Sequence, residues 1–242
     1  MKGKARKARA TGCLIVFEGV SGSGKSEGIN RLTRELVNRG VTVSVAEWNA
    51  NPVIRRLVRI LDVCRIMNPA VYSLLQWIGF HRSYQTLMKP RLKRGEVVIA
   101  DRYIYTGMAR DNVNGAAGWI GRPWYTGAPL PDLIVFCDTP PAVCFHRIAL
   151  RGKALYHPSR KYQLTAEPHK ELLYLENMRE CYLKLFAEAS GKGQPPPRIV
   201  QDFTAAEVLG DVWALIERKQ SWAASREIAT TADRQEQAAD HR

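Results

Sequence analysis

Eight consecutive residues, Gly19-Val20-Ser21-Gly22-Ser23-Gly24-Lys25-Ser26, fit the phosphate-binding pattern G-x-x-x-x-G-K-[ST] at every fixed position. Glycines let backbone N–H groups turn toward phosphate oxygens without a Cβ in the way. A helix beginning at Ser26 would present its positive dipole end to the same anion. In this pattern Lys25 reaches the β- and γ-phosphates and the Ser26 hydroxyl holds Mg²⁺. The bland alternative is a Gly/Ser-rich turn, and the flanks decide against it. The apolar run Leu14-Ile15-Val16-Phe17 precedes the loop and an amphipathic segment follows it, which is the strand–loop–helix context the motif requires. The stretch reads as a nucleotide site, with ATP as phosphoryl donor.

The elements that must hold this loop follow from apolar periodicity. Ile29, Leu32, Leu36 and Val37 recur at helical spacing across Ser26 to Arg39, and Gly40 is a stop signal. Val41 to Ala46 predicts a second strand, and residues 47–52 a loop at its carboxyl end, where ligands collect in open α/β sheets. Val53 to Arg65 predicts a basic helix. Asn68-Pro69 opens a long helix running to about Arg94, with Pro90 the point where it would kink. Val97 to Ala100 is a wholly apolar strand of the kind covered on both faces, and it delivers Asp101-Arg102-Tyr103 to the sheet's edge. Helix resumes by Thr106. Asn112 to Pro131 is rich in Gly and Pro and predicts a long functional loop.

Leu133 to Cys137 is the next buried strand. It is followed by helices from Pro141 to Arg151 and from about Pro168 to Ala189, and by a short strand at Arg198 to Val200. The capping box Thr204-Ala205-Ala206-Glu207 opens a last helix ending near Lys219. Strands alternating with helices across Leu14 to Lys219 predict one three-layer, doubly wound, mostly parallel α/β sheet of about five strands. Residues 1–11 form a basic tail, and residues 220–242 a polar tail expected to be disordered.

Composition narrows the class. Five cysteines with no C-x-x-C pair indicate neither a disulfide framework nor a zinc site, so a reducing, cytoplasmic setting is expected. No apolar run approaches the ~18 residues a membrane span needs. The basic N-terminal stretch leads into a strand rather than a cleavable apolar segment, so it does not read as a signal peptide. The net charge of +13 is partly explained by nucleotide phosphates. Nucleic acid is a further partner but not the favoured one, because no aromatic residues interleave with the basic N-terminal run.

Three further stretches carry a likeness. Phe17-Glu18-Gly19 opens the loop. Gly95-Glu96-Val97-Val98-Ile99-Ala100-Asp101-Arg102-Tyr103 is a strand ending in Asp-Arg-Tyr. Pro131-Asp132-Leu133-Ile134-Val135-Phe136-Cys137-Asp138 is followed by Pro-Pro and a helix with Arg147 and Arg151. Together with the loop these resemble the thymidylate kinase family of P-loop nucleoside monophosphate kinases, over about Leu14 to Lys219. The resemblance implies the P-loop kinase fold with a helical lid at about 151–164. It also implies Mg²⁺ and ATP, phosphoryl transfer to a (deoxy)nucleoside monophosphate, most simply dTMP, and a homodimer. The apolar stretch around Leu74 to Ile78 could pack such a dimer.

Phosphoryl transfer is mostly positioning and charge neutralisation, and that assigns roles. Asp101, at a strand end beside the loop, can bind Mg²⁺ or orient the acceptor, or merely cap the following helix. Arg102 carries a planar fork suited to phosphate, and the resemblance puts it on the acceptor monophosphate. The resemblance likewise brings Arg82 to the acceptor, with Trp77, Ile78 or Phe80 stacking on the base. The loop has no arginine of its own, so transition-state charge must be met from elsewhere; the resemblance points to the lid, with Arg151 and Arg160 chosen from Arg147, Arg151, Lys153, Arg160 and Lys161, against the alternative of a merely solvated basic loop.

The chain departs from the family at several points. Ser21 stands where an aspartate is usual. Ala46-Glu47-Trp48-Asn49 replaces Thr-Arg-Glu-Pro, with Glu47 keeping the acidic position and Arg55 or Arg56 supplying a phosphate contact. Arg110 stands where Tyr or Phe is usual and is followed by Asp111, a pair that would present different hydrogen bonds to the acceptor base. Two other readings remain at this stage: a P-loop kinase for a nucleoside or another small metabolite, and a non-catalytic nucleotide-binding protein that touches nucleic acid.

Overall fold

Only a strand covered on both faces can be apolar at nearly every position, and the first strand, β1 (Cys13–Glu18), is buried throughout. Its alternate residues feed two separate cores. Leu14 and Val16 join one, Cys13, Ile15 and Phe17 the other. In the computed structural model, described over residues 12–48, 50–152, 155, 168–191, 194, 196–201, 206, 208–219 and 221, four more strands flank it: β2 (Val43–Glu47), β3 (Val97–Asp101), β4 (Leu133–Cys137) and β5 (Arg198–Val200). The sheet runs β2-β3-β1-β4-β5 and every pairing is parallel. Cys13 lies opposite Val97, and Ile15 opposite Leu133. The order reverses at β1, so ligands should collect at the carboxyl ends of β1, β3 and β4.

On one face, helix α1 (Lys25–Asn38) buries Ile29, Leu32 and Leu36, and a last helix over 208–219 adds Val208, Val212 and Ile216. The other face carries α3 (Pro69–Ser83), α5 (Ile104–Asn114), α7 (Pro141–Leu150) and α8 (Pro168–Gly191). Between β2 and α3, helix α2 (Pro52–Val63) is capped by the Asn51 side chain and buries none of its residues. Residues 1–11, 222–242, most of the lid at 153–154 and 156–167, and Thr204 and Glu207 of the capping box lie outside the described residues.

Two expectations change. The long helix from Pro69 is not regular up to Pro90. It widens into a π-helical stretch at Tyr84–Met88 before α4 (Lys89–Lys93). That stretch contains Thr86, whose carbonyl the Pro90 ring would meet in a regular helix. Asn112 to Pro131 is no open loop either. α5 runs on to Asn114, a short helix α6 (Arg122–Tyr125) follows, and Tyr125 packs on Trp77 at 5.9 Å. The Tyr103 hydroxyl donates to the Pro129 carbonyl at 3.0 Å, so the segment closes the aromatic core.

Candidate active site

The loop between β1 and α1 turns through left-handed conformations at Gly22 (φ 84°) and Gly24 (φ 86°), which side-chain-bearing residues rarely adopt. A Cβ on Gly22 would also lie 2.5 Å from the Cys144 carbonyl oxygen of α7. No side chain caps the start of α1, so its first N–H groups stay available to an anion. Thr139, just past β4, shares its hydroxyl between the Ser23 and Gln201 carbonyls, each at 3.1 Å, and ties the loop to the sheet. Lys25 is buried, with Nζ donating to the Val20 carbonyl at 2.6 Å and the Ser23 hydroxyl at 3.2 Å. Burial, and then the charge of Arg102, lower its pKa to about 7.

A cavity of about 640 Å³ lies over the loop, walled by residues 21–28, Arg31, Asp101, Arg102, Arg147, Arg151 and Gln201. The structure therefore brings most of the loop, Lys25, Ser26, Asp101, Arg102 and Arg151 to one cavity. Gly19 and Val20 stand just behind it, their carbonyls accepting from Arg102 and Lys25. Arg147 adds Nη1 at 3.4 Å from the Gly22 carbonyl. Arg160, Lys153 and Lys161 lie outside the described residues. Asp101 Oδ1 is buried without a hydrogen-bond partner. It does not cap α5, whose N-cap is Tyr103 with no side-chain cap bond of its own.

The capping is done from β1 instead. Glu18, fully buried, accepts from the Tyr103 N–H at 2.9 Å, the Thr106 N–H at 3.3 Å and the Thr106 hydroxyl at 2.6 Å. Burial raises its pKa to about 7 against these bonds. Glu18 thus fixes the turn that carries Arg102. Arg102 itself has φ 77°, a conformation costing a side-chain-bearing residue roughly 1–2 kcal/mol. Its N–H donates to the Phe17 carbonyl at 3.0 Å, and its Nη1 to the Gly19 carbonyl at 2.8 Å. Strain of this kind persists where the surroundings over-determine it.

The remaining acceptor-side residues are not gathered with these. Trp77 and Phe80 are buried in one aromatic cluster with Trp48. The Trp77 indole donates to Asp111 Oδ2 at 2.8 Å, so both rings serve the core and neither is an open platform for a base. Burial raises the Asp111 pKa, with the Trp77 bond and the charge of Arg110 acting against it. Arg110 is half-buried on α5, with Nη1 buried and without a hydrogen-bond partner. Arg82 is exposed on α3. Glu47 and Arg55 form an exposed 3.9 Å ion pair, and Arg55 borders a separate cavity of about 280 Å³ with Trp48, Arg59, Tyr72 and Gln76.

Sequence reasoning missed Glu18 as a buried cap, Tyr182, Thr139 and Gln201. Gln201 follows β5, and a carboxyl strand end is a signal that could have found it. Tyr182 sits in an apolar helical pattern that reads only as core.

The family model described as thymidylate kinase matches residues 17–192. A probable thymidylate kinase of Saccharolobus solfataricus is 30% identical over 208 residues, covering 83% of this chain and 96% of the relative. A probable thymidylate kinase of Pyrobaculum aerophilum is 28% identical, covering 85% and 96%. A thymidylate kinase of Deinococcus radiodurans is 27% identical, covering 86% and 98%.

Proposed function

The chain belongs to the thymidylate kinase family, and we propose that it moves the γ-phosphoryl group of Mg-ATP onto a (deoxy)nucleoside monophosphate, most simply dTMP, giving ADP and the diphosphate. The observation that carries this reading is the convergence of Lys25, Ser26, Asp101 and Arg102 on one cavity over the loop.

Each residue then has a task. Loop N–H groups and the start of α1 hold the donor phosphates, and Lys25 exchanges its two neutral oxygens for phosphate oxygens. The Ser26 hydroxyl and the unpartnered Asp101 Oδ1 are hard oxygen donors that suit Mg²⁺, an ion that keeps few protein ligands alongside water and substrate phosphate. Bound there, the ion would neutralise charge on the transferring group. Arg102 grips the acceptor phosphate. Arg147 and Arg151 supply the charge that the arginine-free loop lacks, with Arg160 and the rest of the lid closing over the donor. Arg110 holds its unpaired Nη1 for the acceptor.

The test is ADP formation with and without dTMP. Activity should depend on dTMP, saturate, and collapse in Lys25→Ala. ATP turnover indifferent to every monophosphate offered would refute the reading, and a panel of acceptors separates dTMP from another monophosphate, a nucleoside or a metabolite.

We also propose a homodimer, supported by exposed apolar side chains on adjoining helices: Val53 and Ile60 of α2, Leu74 and Ile78 of α3. Light scattering at twice the chain mass checks it. A cytoplasmic setting suits five cysteines that form no disulfide, and no described helix is long and apolar enough to cross a membrane.

A further inference from the structure

Helix α8 makes polar contacts with residues at the carboxyl side of the sheet at two points one turn apart. Arg179 donates Nε and Nη2 to the two oxygens of Asp138, at 2.5 and 2.7 Å, just beyond the carboxyl end of β4. Three residues on, Tyr182 is fully buried, with its hydroxyl 2.6 Å from Thr106 Oγ1 and 3.2 Å from Arg102 Nη1. The direction of these bonds follows from counting protons. Thr106 has one hydroxyl hydrogen, which it gives to Glu18 Oε2 at 2.6 Å. With Glu18 ionised, Tyr182 donates to Thr106, and its oxygen is left to accept from Arg102. A single polarised chain runs from the Arg102 guanidinium through Tyr182 and Thr106 to the Glu18 carboxyl.

The ring of Tyr182 packs among Phe136, at 5.5 Å, and Phe186, at 6.0 Å. Phenylalanine would fill that space equally well, so packing gives no reason for the oxygen. The oxygen serves Arg102, whose left-handed backbone leaves its side chain little other support: Gly19 and Thr106 are its remaining acceptors through Nη1.

We propose that Tyr182 is a positioning residue that aims the Arg102 guanidinium at the acceptor's phosphate. This rests on the reading of Arg102 as the acceptor-phosphate ligand. Removing the hydroxyl leaves Arg102 charged and present but less well aimed, so the loss falls on the acceptor side alone.

The experiment is Tyr182→Phe, read by calorimetric binding of dTMP and of ADP and by kinetics with each substrate varied. The expected result is dTMP binding and kcat/KM for dTMP both weakened about tenfold, the weight of one charge-assisted hydrogen bond. ADP binding and the KM for ATP should stay within twofold, while loss of the buried bond to Thr106 lowers the melting temperature by a few degrees. In an Arg102→Ala background, Tyr182→Phe should cost nothing further, because both changes remove the same contact. Unaltered dTMP binding in Tyr182→Phe, equal losses for both nucleotides, or losses that add in the double variant would each overturn the proposal while leaving the function intact. A wild-type protein that binds no monophosphate would overturn both.

Discussion

Lys25 is held in an unusual state for a lysine. Burial, and next the Arg102 guanidinium, pull its pKa from 10.5 to about 7, while only two neutral oxygens accept from it. A nucleotide changes that balance. One phosphate charge within 4 Å is worth about 4 kcal/mol at an effective dielectric near 20, or about three pKa units. The bound lysine is therefore an ammonium across the neutral range, and binding must take up a proton wherever the free protein lacks one. With the free pKa at about 7, uptake should be about 0.9 proton at pH 8 and about 0.1 at pH 6. The nucleotide's own terminal phosphate, with a second pKa near 6, is already deprotonated at pH 8. Calorimetry of ADP binding in two buffers of different ionisation enthalpy measures the uptake directly. Affinity should fall close to tenfold between pH 8 and pH 9, and the uptake should vanish in Lys25→Met. Uptake below about 0.2 proton at pH 8, or equal uptake in Lys25→Met, would refute the account of Lys25 as a desolvated amine that is largely neutral at pH 8 in the free protein.

Glu18 has the opposite linkage: its folded pKa of about 7 exceeds the ordinary 4.5, so its contribution to stability is full below pH 4.5 and is lost as pH rises to 7. Wild type should lose about 3 kcal/mol relative to Glu18→Gln across that window in urea unfolding, and a pH-independent difference would count against it. Gly107→Ala should lower stability by about 2 kcal/mol despite alanine's better helix propensity. The new Cβ would sit 2.6 Å from Trp77 and 2.8 Å from Trp48, two indoles held by Asp111 and Gln76. A raised urea midpoint would contradict that packing.

The donor half of the site was legible because its chemistry is local. A contiguous motif, one strand and one helix define it, and Asp101 and Arg102 come from a strand whose wholly apolar sequence announces a central position. The sheet was legible for the same reason. The acceptor half depends on which way helix faces turn, and periodicity cannot say which of two buried faces meets a ligand. Trp77 and Phe80 illustrate this: on α3 an aromatic that stacks on a base and one that fills a core have the same spacing, and here the bond to Asp111 commits Trp77 to the core. Glu18 shows a different limit. A carboxylate at the end of an apolar strand looks like a ligand, and only the fold reveals the Tyr103 and Thr106 N–H groups at the start of α5 waiting for it.

The strand order also bears on how the chain is made. β1, the first of the five described strands in chain order, is the middle of the sheet, and both its neighbours follow it in the sequence: Cys13 waits for Val97 and Ile15 for Leu133. The roughly 120 residues between β1 and its second neighbour take on the order of ten seconds to translate. For that interval Cys13 to Phe17 is an unpaired apolar segment of high β-propensity, the kind that associates with its like. The five Lys and Arg within residues 1–10 stand immediately ahead of it. Charged residues flanking an apolar strand oppose such association by mutual repulsion.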